Sequence, residues 1–165
     1  MANQQISVYP QAIPFTSDEV ESFLTRPLIA KLCTHNDDGT IHIAPIWFKY
    51  ENGEILLGTQ EVTRKVKNIK HNQNVTVLVD THDPTLQAVI MQGQAELDYE
   101  DIIPKRISIF EKYMGPEEAA QLAKNIAASW DPVIIRVKPE NLTSFDYSKG
   151  FGLSADPDAE TTKIV

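Results

Sequence analysis

The sequence predicts a mainly β protein of the α+β class, in which six to seven antiparallel strands form a small barrel with peripheral helices. Apolar runs of strand length are joined by tight turns, and helical patterns are inserted between and after them. The length of 165 residues suits one domain, residues 1–165. A barrel also removes the exposed edges that such apolar strands would otherwise present.

The first dozen residues are interpreted as a loose arm, after which a short helix is expected. The segment 16–19, TSDE, offers a hydroxyl cap followed by acids in the first turn, where the helix dipole favours them. Val20, Phe23 and Leu24 then fall on one face, and Pro27 ends the helix.

Three extended runs follow, and tight turns at Asp38-Gly39 and Asn52-Gly53 separate them. These dipeptides are strong hairpin signals because the turn residues must adopt positive φ. The predicted strands are LIAKLCTH at 28–35, IHIAPIWFKY at 41–50 and EILLGT at 54–59. Pro45 lies within the second run and predicts a sheet edge or a bulge there.

A basic helix of about two turns is predicted next, over TRKVKNIK at 63–70. Thr63 is expected to cap it, Val66 and Ile69 to face inward, and Asn72 and Asn74 to end it. A second hairpin then joins 74–81 to 86–97 through His82-Asp83-Pro84.

The remainder predicts two helices and a last strand. The first helical stripe contains Ile107, Phe110 and Met114. Gly115-Pro116 ends that helix and begins the second, with proline at its first position. The inner face of the second helix is predicted to carry Ala119, Leu122, Ala123 and Ile126. VIIRV at 133–137 is the last predicted strand, and the tail after Tyr147 is predicted to be irregular.

Composition excludes several classes of function. A formal charge of −8 argues against a broad nucleic-acid interface. No apolar run approaches the roughly 20 residues that span a bilayer, and the first residues lack signal-peptide features, so the cytoplasm is the expected compartment. Cys33 is expected to be a small buried hydrophobe, and the four histidines show no metal-ligand spacing.

The basic helix is the candidate functional site. A helix start presents unpaired N–H groups and the positive end of the dipole, which suits an anion and disfavours cations. Arg64 and Lys65 nevertheless occupy the first turn, beside the hydroxyls of Thr59 and Thr63. This combination predicts a phosphate site, and the alternative from local chemistry alone is a solvated basic helix. The absence of glycines excludes a nucleotide-triphosphate loop.

Residues 28–80 resemble the flavin-binding split-barrel superfamily typified by pyridoxamine 5′-phosphate oxidase. The resemblance rests on motifs in a fixed order: Asp38-Gly39, Pro45-Ile46-Trp47, Asn52-Gly53, Thr59, Thr63-Arg64-Lys65 and the strand 75–79. It implies a split barrel that binds FMN between the two subunits of a homodimer.

The resemblance also implies residue roles. Thr59, Thr63, Arg64 and Lys65 would hold the FMN phosphate, and Pro45-Ile46-Trp47 would lie along the isoalloxazine ring. The sequence departs from true pyridoxamine phosphate oxidases, because Ile43 and Phe48 stand where that enzyme has Arg and Lys. Ala88 stands at a flavin-binding Gln position with Gln87 adjacent, and no basic substrate-phosphate motif follows.

The sequence therefore predicts an FMN-dependent oxidoreductase with an unidentified small-molecule substrate and no identifiable catalytic side chain. Two alternatives remain, a deazaflavin-dependent reductase and a flavin-binding or storage protein without turnover. A haem-degrading relative is disfavoured because no histidine follows His82. Trp47 is interpreted either as an apolar wall of the flavin site or as core packing. Tyr147, Phe151 and Gly152 are interpreted as a surface tail rather than a flavin lid.

Overall fold

The computed structural model of the protein describes residues 3–4 and 12–151. The expected loose arm falls largely outside these residues, as does the tail beyond 151. The helices are α1 (Ser17–Thr25), α2 (Arg64–His71), α3 (Ile102–Phe110) and α4 (Pro116–Ser129). The strands are β1 (Asn3–Gln4), β2 (Ala12–Ile13), β3 (Ala30–His35), β4 (Ile41–Ile46), β5 (Phe48–Glu51), β6 (Glu54–Gln60), β7 (Asn74–Thr81), β8 (Gln87–Asp98) and β9 (Pro132–Phe151).

The predicted α+β split barrel is confirmed. Seven strands follow the order β4-β3-β7-β8-β9-β6-β5, and the two-residue strands β1 and β2 also pair with β9. Both predicted hairpin turns are present, with positive φ at Gly39 and Gly53. No helix in the described ranges is long and apolar enough to cross a membrane.

The barrel is split at Trp47. The predicted run 41–50 is wrong as a single strand, because Trp47 separates β4 from β5, and these two strands form opposite ends of the sheet order. The Trp47 ring stacks on Tyr113 with centroids 4.7 Å apart and meets Phe110 edge-on at 5.6 Å. The Tyr113 hydroxyl accepts from the Phe48 N–H at 3.1 Å and donates to the Leu28 carbonyl at 2.8 Å, with the Phe48 carbonyl as a longer acceptor at 3.2 Å. Aromatic packing thus replaces strand pairing at this point.

The last strand is much longer than the predicted 133–137. Strand β9 has 20 residues and pairs with β6 through its first part and with β8 through most of its length. The sequence Lys138-Pro139-Glu140-Asn141 has the polar and proline residues of a loop. The structure accommodates it as a bulge, because the register with β8 shifts between Gln92 and Gly93.

Two apolar layers hold the helices and the sheet together. Ile55 and Leu57 of β6 belong to the barrel interior, where Val20, Phe23 and Leu24 of α1 also pack. Leu56 points to the other face of the sheet and packs under α3 and α4. The predicted start of α4 at Pro116 is confirmed. The predicted start of α1 is also confirmed, since Thr16 and Glu19 form a capping box.

Lys112, in the link between α3 and α4, ties this helical pair to α1. Its Nζ donates to the Leu24 carbonyl at 2.7 Å and lies 3.2 Å from the Phe48 ring centroid. Burial lowers the pKa of Lys112 to about 7 from the ordinary value of 10.5. Between these two values the unfolded chain binds more protons than the folded chain, so the free energy of unfolding rises with pH.

We expect Lys112→Met to flatten this rise in stability between pH 7 and pH 9. Urea denaturation at both pH values measures it. Lys124→Met, on the exposed side of α4, is the control and should keep the rise. Parallel pH profiles for the unaltered protein and Lys112→Met would contradict the assignment.

Candidate functional site

The candidate site lies where β6 ends and α2 begins. Thr63 is the N-cap residue of α2, but its hydroxyl does not cap the helix, which corrects the sequence prediction. Instead, Thr63 Oγ1 donates to the Gln60 carbonyl at 2.8 Å. The backbone N–H groups of the first turn therefore have no side-chain cap and remain available to an anion.

The loop between β6 and α2 brings two hydroxyl groups together. Thr59 is buried at the end of β6, and its Oγ1 lies 3.4 Å from Thr63 Oγ1. The Thr63 N–H donates to the Gln60 carbonyl at 3.1 Å, which tightens the loop. Two hydroxyls thus adjoin the uncapped helix start, and the Thr63 hydroxyl would have to turn away from the Gln60 carbonyl to donate to an anion.

The two cations of the first turn make no hydrogen bond or ion pair among residues 12–151, although the Arg64 charge adds to the hydrogen bonds with Thr40 that lower the pKa of Asp38. Neither Arg64 nor Lys65 makes a side-chain hydrogen bond or ion pair there, whereas Lys70, one turn later, pairs with Glu61. Lys65 is half-buried, and burial lowers the pKa of its ammonium group below the ordinary value. A half-buried cation without a counterion is a group that a bound anion would stabilise.

The position of α2 is fixed by a buried amide that the sequence interpretation missed. Asn68 Nδ2 donates to Thr34 Oγ1 at 3.0 Å and to Asn36 Oδ1 at 2.9 Å. Val66 and Ile69 are buried beside it, as predicted. Asn68 is two residues from Val66 and one from Ile69, which is not the spacing of a shared helix face, so the sequence pattern did not indicate its burial.

Arg106 of α3 is a second residue that the sequence did not reveal. It is 3% exposed, and its Nη1 donates to the Thr59 carbonyl at 2.7 Å. Burial lowers the pKa of the Arg106 guanidinium from its ordinary value. The hydrophobic stripe predicted for α3 contained no charged residue, so a cation inside it was unexpected.

The predicted ring-binding segment lies on the edge strand β4, against which α2 packs. Pro45 is exposed and opposite Lys31, as expected for an edge position. Ile46 is half-buried and packs against the barrel core, while the Trp47 ring contacts Phe110 and Tyr113. At this sheet edge the backbone groups of the segment are available to a ligand, whereas the Trp47 ring is occupied by its contacts with Phe110 and Tyr113.

The positions that depart from the oxidase pattern also have definite environments. Ile43 is 60% exposed on β4, while Phe48 is fully buried beneath Lys112. Ala88 is buried, and the adjacent Gln87 Oε1 accepts from Arg26 at 3.0 Å. Neither Ile43 nor Phe48 supplies a charge.

The residues present fit a phosphate ester. The uncapped helix start supplies N–H donors, Arg64 and Lys65 supply positive charge, and the hydroxyls of Thr59 and Thr63 adjoin them on consecutive parts of the chain. Tyr147 is half-buried and packs against Phe145, and β9 continues to Phe151, so the predicted irregular tail begins later than expected. Gly152 and the side chain of Phe151 lie outside the described residues.

Comparison with known proteins identifies relatives. The family model described as pyridoxamine 5′-phosphate oxidase matches residues 16–144. No curated protein matches the chain. A structure of a conserved hypothetical protein from Mycobacterium tuberculosis aligns with a TM-score of 0.75 and 24% identity, covering 90% of this chain and 92% of that chain.

Two further structures have names that mention a cofactor. An F420 reductase is 25% identical with a TM-score of 0.60, covering 74% of this chain and 94% of its own. A FAD-binding protein from Mesorhizobium loti is 18% identical with a TM-score of 0.57, covering 79% and 94%. The Mycobacterium and Mesorhizobium structures establish the likeness of fold alone.

Proposed function

The chain belongs to the pyridoxamine 5′-phosphate oxidase family, and we propose that it binds FMN and serves as a flavin-dependent oxidoreductase acting on a small organic molecule. The observation that carries the proposal is Lys65, a half-buried cation without a protein partner in the described ranges, beside an uncapped helix start. FMN ends in a phosphate, which matches this charge.

The protein's own residues would bind and orient the cofactor. Arg64, Lys65 and the hydroxyls of Thr59 and Thr63 would hold the phosphate, and the open edge at Pro45 and Ile46 would offer backbone groups to the ring. A bound flavin itself supplies hydride or electron transfer, so no catalytic side chain is required. Aromatic packing around Trp47 would keep the neighbouring strand ends rigid and dry.

The substrate is proposed to differ from pyridoxamine phosphate. A substrate phosphate needs cations, and at the two positions where that oxidase has Arg and Lys this chain has an exposed isoleucine and a buried phenylalanine. Ile43 offers only apolar contacts to a substrate, and the fully buried Phe48 offers none. A neutral or weakly charged substrate suits them better.

A deazaflavin-dependent reductase is the second candidate. The F420 reductase, at 25% identity, is the observation in its favour. Its cofactor is a deazaflavin with an acidic tail, whereas this chain has a formal charge of −8. The charge balance favours FMN.

The first experiment is an absorption spectrum of purified protein, followed by titration with FMN and with F420. We expect flavin bands that a chemical reductant bleaches, and tighter binding of FMN than of F420. Catalytic bleaching by NADPH or NADH in the presence of an acceptor would establish an enzyme, and its absence would favour a storage protein. Binding of F420 alone would establish the second candidate, and binding of neither would refute both.

A homodimer is also proposed, and the outer face of β4, β3, β7 and β8 is its surface. The apolar residues Ile55, Leu56 and Leu57 of β6 do not contribute to such a surface, because they are buried within the chain. On the outer face, however, Ile43 is 60% exposed and lies in register with Cys33 of β3. Exposed apolar residues on an open sheet edge are typical of an interface.

We expect Ile43→Lys to weaken the dimer, measured by sedimentation over a dilution series with and without FMN. If the flavin lies between subunits, FMN should tighten the dimer and dilution should release FMN. Ile103→Lys, at a 39% exposed apolar position on α3, is the control. A stable monomer with a full complement of flavin would refute the shared site.

A further inference from the structure

Arg106 is a buried cation on the side of β6 that faces α3. Its side chain crosses Gly58, where a Cβ would lie 3.6 Å from the Cγ, Nε and Cζ atoms of Arg106. The guanidinium carbon lies 5.5 Å from the centroid of the Phe110 ring. Its surroundings are therefore a glycine and an aromatic ring, which an apolar side chain would suit equally well.

The charge of Arg106 has no counterion within residues 12–151. Its one side-chain hydrogen bond there joins Nη1 to the Thr59 carbonyl at 2.7 Å, and the buried Nε has no partner. Arg136, which lies in register with Leu56 in the same sheet, instead pairs with Asp98 at 2.6 Å and Glu54 at 3.4 Å. Burial of an uncompensated charge costs folding free energy.

The carbonyl that Arg106 holds belongs to a residue of the phosphate site. Thr59 carries the hydroxyl that lies 3.4 Å from Thr63 Oγ1. Arg106 thus approaches Thr59 from the α3 side, whereas α2 brings Arg64 and Lys65 from the other end of the loop. In a low-dielectric interior a charge acts over a longer distance than in water.

We propose that Arg106 is a positioning residue of the phosphate site, which fixes the Thr59 end of β6 and adds positive charge behind it. This inference rests on the proposed function. According to this inference, buried Arg106 lowers the folding stability of the free protein and strengthens the binding of a phosphate. The same guanidinium would contribute little to a ligand that lacks the phosphate.

The test measures FMN and riboflavin binding by fluorescence titration for Arg106→Gln and Arg106→Lys. Glutamine keeps a donor for the Thr59 carbonyl and removes the charge. We expect Arg106→Gln to weaken FMN binding by about five-fold or more and riboflavin binding by less than about two-fold. Arg106→Lys keeps the charge and should retain most of the preference for FMN.

Arg136→Gln is the control, because it removes an arginine of the same sheet whose hydrogen bond goes to Asp98 and not to Thr59, and its FMN-to-riboflavin ratio should stay unchanged. Equal losses for FMN and riboflavin in Arg106→Gln, or no loss, would overturn the inference while leaving FMN binding intact. If Arg106→Gln does not fold, loss of the FMN preference in a folded Arg106→Lys would overturn it and retention would support it. Failure of the unaltered protein to bind FMN would overturn the proposed function, and this inference with it.

Discussion

Replacing Arg64 and Lys65 together by alanine is expected to weaken FMN binding by roughly a hundred-fold, and each single substitution by about ten-fold. A charged hydrogen bond contributes about 1.5 kcal/mol at the lower end of its range, and 1.4 kcal/mol corresponds to ten-fold in affinity. Neither cation makes a hydrogen bond or ion pair in the described part of the chain, so removing it breaks no such contact within the protein. The Arg64 charge also acts on the nearby Asp38 carboxyl, so Lys65→Ala is the cleaner of the two single variants. Isothermal titration with FMN measures the effect.

Two comparisons isolate the phosphate contact. Riboflavin lacks the phosphate, so its affinity should change much less in the same variants. Lys67→Ala removes an exposed cation from the same helix, α2, and should have little effect on FMN. Equal losses for both ligands would contradict the assigned role. Stability of the free protein should be unchanged or slightly raised, because cations at a helix start oppose the dipole.

Gly93→Ala is expected to lower the free energy of unfolding by about 3 kcal/mol or more, at the upper end of the usual cost of overpacking. A Cβ at Gly93 would lie 2.0 Å from the Lys138 carbonyl oxygen and 3.1 Å from Pro139 Cα. Both obstacles are backbone atoms of the β9 bulge. Relief therefore requires β8 and β9 to separate.

Urea denaturation measures this loss, and Gly115→Ala is the control. Nothing lies within 4 Å of a Cβ at Gly115, which precedes α4 with an ordinary negative φ. We expect that variant to lose less than about 1 kcal/mol, as for other changes at this helix position. Unchanged stability of Gly93→Ala would show that the bulge relaxes freely.

The sequence predicted the features that depend on neighbouring residues. Gly39 and Gly53 identified their turns, because the positive φ that these turns require is a conformation that favours glycine. The phosphate site stays a prediction, and it could be proposed from the sequence because Thr59, Thr63, Arg64 and Lys65 lie within seven consecutive positions. Its chemistry is local.

Features that depend on distant partners were not predictable. The break at Trp47 arises from rings on α3 and on the segment after it, and nothing in the run 41–50 indicates those partners. From the sequence alone Pro139 indicates a loop, and only its pairing with Gly93 of β8 places it in a strand. Arg106 has an equally nonlocal role, because its hydrogen-bond partner, Thr59, is 47 residues earlier in the chain.

The position of β9 between β8 and β6 has a consequence for protein synthesis. Without β9 the sheet order separates into two pieces, β4-β3-β7-β8 and β6-β5, each with an open edge. A ribosome makes the chain from its amino end, so the edge strands β8 and β6 are synthesised before β9, the strand that pairs with both. The barrel therefore closes only after residues 132–146 leave the exit tunnel, and until then the nascent chain presents apolar strands to chaperones and to other nascent chains.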